Sequence, residues 1–132
     1  MTDDLVKFLR ARLDEVEARV RALPDGPWQW KTFDDPESDA LVGTDGTVLC
    51  SGDAEGYKSW IDRHEAFDAY LQDIHPARVV AEVDAKRRII EDCEGIIVGW
   101  HHEESKEFAR DVLRNLAEVY ADHPDYRDDW RP

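Results

Sequence analysis

The chain is poor in the features that most directly announce a function. No apolar run approaches the roughly 20 residues that a bilayer-spanning helix needs. The opening Met1-Thr2-Asp3-Asp4 places acids where a secretory leader needs positive charge, so a cytoplasmic protein is expected. Only two cysteines are present, Cys50 and Cys93, too few for a disulfide framework, and both read as reduced, buried, small apolar side chains. Basic residues are scarce: 17 Lys and Arg stand against 31 Asp and Glu, a net charge of -14. Such a surface repels phosphate and anionic lipid, which argues against direct nucleic-acid binding and against a membrane partner. Catalytic signatures are missing too. There is no His-Glu-x-x-His, no Cys-x-x-Cys and no Gly-x-Ser-x-Gly elbow around Ser38, Ser51, Ser59 or Ser105. Gly43, Gly46, Gly52 and Gly56 are too scattered for a phosphate loop. No cofactor is expected.

What is present is enough to build a core. A chain of 132 residues, 42% hydrophobic and with five Trp, fits a single domain over residues 1–132. Residues 1–23 predict a helix: Leu5, Leu9, Leu13, Val16, Val20 and Leu23 recur every three or four positions along one face. That seam serves either internal packing or a homodimer through the first helix. Pro24-Asp25-Gly26-Pro27 stops it. Residues 27–50 predict an acidic meander, in which Trp28 to Phe33 alternate at period two and Asp34 to Asp39 form an acidic loop. Gly43-Thr44-Asp45-Gly46 is then a hairpin turn between Ala40–Val42 and Thr47–Cys50. A helical part follows over residues 56–121. Its first segment, 56–74, is marked by Trp60, Ile61, Phe67, Tyr70, Leu71 and Ile74. Its second starts at Pro76, where the missing N–H costs nothing, and is capped or bent at Gly95. Residues 96–100 suit either a helix continuation or a buried strand, and a last helix covers about 103–120. The fold class expected is therefore α+β: about four helices with a small antiparallel three-stranded meander inserted after the first helix.

The last residues are unusual for a chain end. Tyr120 to Pro132 carry two Tyr, a Trp, a His-Pro step and many charges, which predicts that residues 122–132 dock rather than fray. Tyr126 and Trp130 supply the apolar contact, while the acids Asp122, Asp125, Asp128 and Asp129 pair with the basic run Lys86-Arg87-Arg88.

Residues 24–55 hold eight acids against Lys31 alone, a net of −7 that is half the charge of the chain. The acidic meander, with Asp34, Asp35, Glu37, Asp39, Trp28 and Trp30, is thus one candidate partner-binding face, and Tyr126 with Trp130 another. The histidines His101, His102 and His123 are the weak candidates for a metal. Adjacent His101 and His102 cannot point the same way from one helix. His64 and Asp68, four apart, suit one helical face.

Two stretches resemble a known family: Ile74-His75-Pro76-Ala77-Arg78 onward to Ile90, and Tyr120-Ala121-Asp122-His123-Pro124-Asp125-Tyr126-Arg127-Asp128-Asp129-Trp130-Arg131-Pro132. With Asp3 to Leu13 and Gly26-Pro27-Trp28-Gln29-Trp30, they resemble the domains of unknown function numbered 6221. The resemblance implies a small protein of an actinobacterium or its phage. It implies no catalytic residues. One departure is His75, where the family tends to have a helix-capping Asp; a weaker cap there costs about 0.5–1 kcal/mol.

The function expected is that of a small acidic, non-enzymatic factor that binds a protein partner. A DNA-mimic inhibitor of a nucleic-acid-binding protein and a small metal-dependent hydrolase are the alternatives.

Overall fold

Acids at a helix start and bases at its end suit the backbone dipole, and the first helix has both. In the computed structural model, which describes residues 2–34, 37–45, 48–51, 70–71 and 73–132, helix α1 spans Thr2–Arg21. Asp3 and Asp4 lie in its first turn, Arg19 and Arg21 in its last. Strands β1 (Gln29–Asp34), β2 (Glu37–Val42) and β3 (Val48–Ser51) follow, then helices α2 (Pro76–Val98) and α3 (Glu103–Glu118), and a 3₁₀ turn at Asp128–Trp130.

The chain divides into two compact units. The helical unit takes residues up to Glu17 together with Glu82–Pro132. Its core is one cluster: Leu5, Val6, Phe8, Leu9 and Leu13 of α1, Val83, Ile90 and Cys93 of α2, Ala109, Leu113 and Ala117 of α3, and Trp130. The spacing explains the membership. Leu5, Leu9 and Leu13 step by one turn, as do Ala109, Leu113 and Ala117, so each helix presents a single stripe. The small Ala residues on α3 admit the larger side chains of its neighbours, and Leu113 is fully enclosed. The α1 seam is therefore used within the chain itself over its first half. Val16 is half-buried and Leu23 is 44% exposed.

The second unit, Ala18–Ala81, holds the sheet in the order β1-β2-β3. Six consecutive antiparallel pairs run from Gln29↔Val42 to Asp34↔Glu37. Trp28, Ala40, Leu41 and Val42 are buried. The turn before β1 is tied down by Thr44, whose backbone N–H and hydroxyl both donate to the Asp25 carbonyl, at 2.9 and 2.8 Å.

Several expectations need correction. The described residues hold three α-helices rather than four. The segment expected to supply another, residues 56–74, lies outside the described residues except for 70–71 and 73–74, of which 70–71 and 73 are helical. Nor is the sheet an even three-stranded meander. Regular pairing joins β1 and β2 alone, whereas β3 meets β2 at three positions, with a register slip between Leu41 and Val42. An extra residue on one strand interrupts a ladder in this way. Asp34, Glu37 and Asp39, expected in a loop, belong to the strands. Backbone pairing carries β1 and β2 through acids that side-chain polarity assigns to a turn.

Gly95 does not cap α2, which continues to Val98 and so settles residues 96–98 as helix. The break comes at Gly99, where an added Cβ would lie 2.8 Å from the Gly95 carbonyl oxygen. Only glycine allows that approach. His75 does precede α2, but its Nδ1 is buried without a partner, so its ring does not cap the helix. Among the described residues no helix is long and apolar enough to cross a membrane.

Candidate functional site

Phe8 organises the end of the chain. Its ring lies 5.1 Å from Trp130, 5.9 Å from Tyr126, 5.7 Å from His123 and 6.3 Å from Tyr120, centroid to centroid. Tyr126 and Trp130 meet edge to face at 5.8 Å. Such aromatic geometries add to the burial of the rings themselves. One turn along α1, the buried Arg12 stacks on Phe8, donates to Glu15 at 2.9 Å and contacts the His123 ring. His123 Nδ1 also accepts the Asp125 backbone N–H at 3.0 Å. Outside this cluster Arg127 pairs with Asp4 and with Asp129.

Tyr126 and Trp130 are thus placed in the chain's own core, Trp130 being only 6% exposed. The ionic partners differ from those expected. Arg87 pairs with Asp14 and Glu17 of α1, not with the tail acids. These two carboxylates, Glu17 first, push the Arg87 guanidinium above its ordinary value. Sequence reasoning missed Arg12 altogether, because it occupies a charged position beside an apolar stripe and nothing local marks it as buried.

The remaining candidates are dispersed. Trp28 is buried, and its indole N–H donates to the Pro24 carbonyl at 2.9 Å. Trp30 is half-buried with its indole N–H unpartnered. Asp34, Glu37 and Asp39 are placed only by register: Asp34 faces Glu37, and Thr32 faces Asp39. Asp35 lies outside the described residues, as do His64 and Asp68. His101 and His102 are exposed just before α3, whereas His123 sits against Arg12. The three are not brought together, and no group of three or more His, Cys, Asp or Glu suited to a metal occurs among the described residues.

Among the described residues, exposed large apolar side chains occur at the α2–α3 connection. Val98 is 75% exposed, Trp100 is completely exposed, and Phe108 on α3 is 70% exposed. Gly99, Trp100, His101, His102, Ser105 and Lys106 line an open hollow of about 370 Å³ there. His102 takes the cap position of α3 with extended backbone but makes no side-chain capping bond. The helix start is served instead by the acids Glu103 and Glu104. A large aromatic ring standing fully in water beside an open hollow suits a contact surface better than a catalytic pocket.

The family of unknown function DUF6221 matches residues 2–132. This chain belongs to that family. The match covers α1, the sheet and the docked tail alike, so the Phe8–Trp130 cluster lies wholly within the region of DUF6221. No curated protein and no solved structure matches the chain.

Proposed function

We propose that this DUF6221 protein is a non-enzymatic interaction factor that binds a protein partner through the α2–α3 connection. The setting is that of an actinobacterium or its phage, as the family resemblance implies. One observation carries the reading: Trp100, in the short connection after Gly99, stands fully in water, and Val98 at the end of α2 and Phe108 in α3 are largely exposed as well. Leaving such a ring exposed gains nothing for the fold, whereas its burial at the centre of an interface contributes about 2 kcal/mol or more, a roughly 30-fold effect on affinity. Lys106 and the two histidines at the rim supply polar contacts around it.

The test is affinity capture with the tagged full chain at low and high salt, beside the variants Trp100→Asp and Phe108→Asp. A partner retained at high salt by the wild type and lost by both variants supports the reading. A partner released by salt and displaced by DNA replaces it with a DNA-mimic function for the acidic sheet. A partner held equally by all three proteins removes Trp100 from the interface.

A further inference from the structure

Helix α3 carries two apolar stripes. Ala109, Leu113 and Ala117 form the first, which is buried in the core of the helical unit. Phe108, Val112 and Val119 form the second, about 120° away round the helix at about 100° per residue. Phe108 is 70% and Val119 71% exposed, while Val112 is half-buried at the edge of the core. Val119 follows the last turn but keeps helical backbone angles, φ −63° and ψ −15°, so the stripe continues to it. Phe108, Val112, Asn115 and Val119 step by 4, 3 and 4, the spacing with which one helix packs along another. The row runs about 16 Å along the axis, at about 1.5 Å per residue.

The acids keep the same register. Glu104, Asp111 and Glu118, all exposed, recur every seven residues along one border of the stripe. Among the described residues Glu104 and Glu118 form no ion pair, and Asp111 pairs with Arg114. Arg110 is turned to the opposite side of the helix, toward Glu103 and Glu107.

We propose that this stripe seats a helix of a partner protein, amphipathic and basic, with Lys or Arg along the edge that meets Glu104, Asp111 and Glu118. The inference rests on the reading of the Trp100 region as a protein contact surface and adds the shape and charge of what binds there. The spacing selects a helix, because a strand offers anchors at every second residue. Charge selects a basic one. A second copy of this chain brings a net charge of -14 and the same three acids to the face, so like charge meets like. Asn115, polar within the row, fixes the register of the pair.

The probe is a fluorescein-labelled peptide of about three heptads, with Leu at the two seam positions, Lys beside them and Ala elsewhere. Its Lys flanks keep it from pairing with itself. Anisotropy is followed as the full chain is added. Micromolar saturation is expected, weakened about tenfold or more by Phe108→Ala, by Val119→Ser and by scrambling the peptide at constant composition. Glu104→Gln with Glu118→Gln weakens binding and its salt dependence, whereas Asp25→Asn with Asp73→Asn, an equal loss of charge elsewhere, leaves it within about twofold. Phe108 and Val119 are exposed, so both variants keep the wild-type melting curve, and the scrambled peptide needs no variant at all. A scrambled peptide that binds as tightly overturns the proposal. So does a wild-type dimer in sedimentation that Phe108→Ala and Val119→Ser turn into monomers, which gives the stripe to a second copy. Trp100→Ala separates this inference from the reading beneath it. Binding lost in Trp100→Ala but kept in Val119→Ser leaves the contact surface standing and removes the helix from α3. Binding kept in Trp100→Ala but lost in Val119→Ser supports the helix on α3 without the connection.

Discussion

Cys93 shows how position sets reactivity. Burial in the helical core pushes its thiol above the ordinary value, with the nearby Asp92 charge adding to the shift. The thiolate is the reactive species, so Cys93 in the folded protein should alkylate far more slowly at pH 8 than in urea. Peptide mapping of iodoacetamide products checks this, and equal rates in the two conditions would contradict the burial. The sign for stability follows from the fold's preference for the protonated thiol: that contribution is complete below the unfolded thiol value and is lost as pH rises through the higher folded one. Arg12 and Phe8 give a second contrast. Arg12 is a buried charge whose Nε has no acceptor, so Arg12→Met should change stability by no more than about 1 kcal/mol. Phe8→Ala opens a void at the centre of four rings and should cost about 3–5 kcal/mol. Urea unfolding of the two variants orders them.

Helix α3 carries a run of ion pairs between Arg110 and Arg114 and the acids Glu103, Glu107 and Asp111. Arg114 and then Arg110 hold the Glu107 carboxyl below its ordinary value. A depressed carboxylate contributes stability above its unfolded value, and this contribution is lost as pH falls through the lower folded one. Helix content followed by circular dichroism should therefore decline earlier on acidification in wild type than its neutral-pH margin over Glu107→Gln would otherwise allow. The margin between the two should vanish at low pH and shrink in high salt. Most of this helix is legible in the sequence: the expected range of about 103–120 exceeds the observed Glu103–Glu118 by only two residues. Legibility failed where backbone pairing overrode side-chain character. Asp34 and Glu37 read as loop residues because they are charged, yet they close the β1–β2 ladder. Gly95 reads as a cap or bend, and the helix ends before Gly99, since only the close approach of Gly99 to the carbonyl one turn earlier distinguishes the two glycines.

For the whole molecule, the docked tail is the decisive element of the helical unit. Deleting residues 122–132 removes Tyr126, Trp130 and the His123 contact with Arg12 together, and the melting temperature should fall by about 10 °C or more. An unchanged melting curve would show the tail to be dispensable. The composition of the tail made its docking readable in the sequence. Its counterpart Phe8 is not readable, because it falls beside the expected Leu5-Leu9-Leu13 seam and nothing in the sequence pairs it with the tail. The same limit applies to Arg110 and Arg114, which on a sequence are two exposed bases among acids and only in space share a cavity with Trp130. The passage between the two units falls inside α1, after Glu17, and inside α2, before Glu82. Units of this kind are usually joined by flexible linkers, which recombination can cut cleanly. Here a cut at either point severs a helix in mid-course and strands its backbone carbonyls and amides. The sheet-bearing segment therefore cannot be excised at either boundary without breaking a helix.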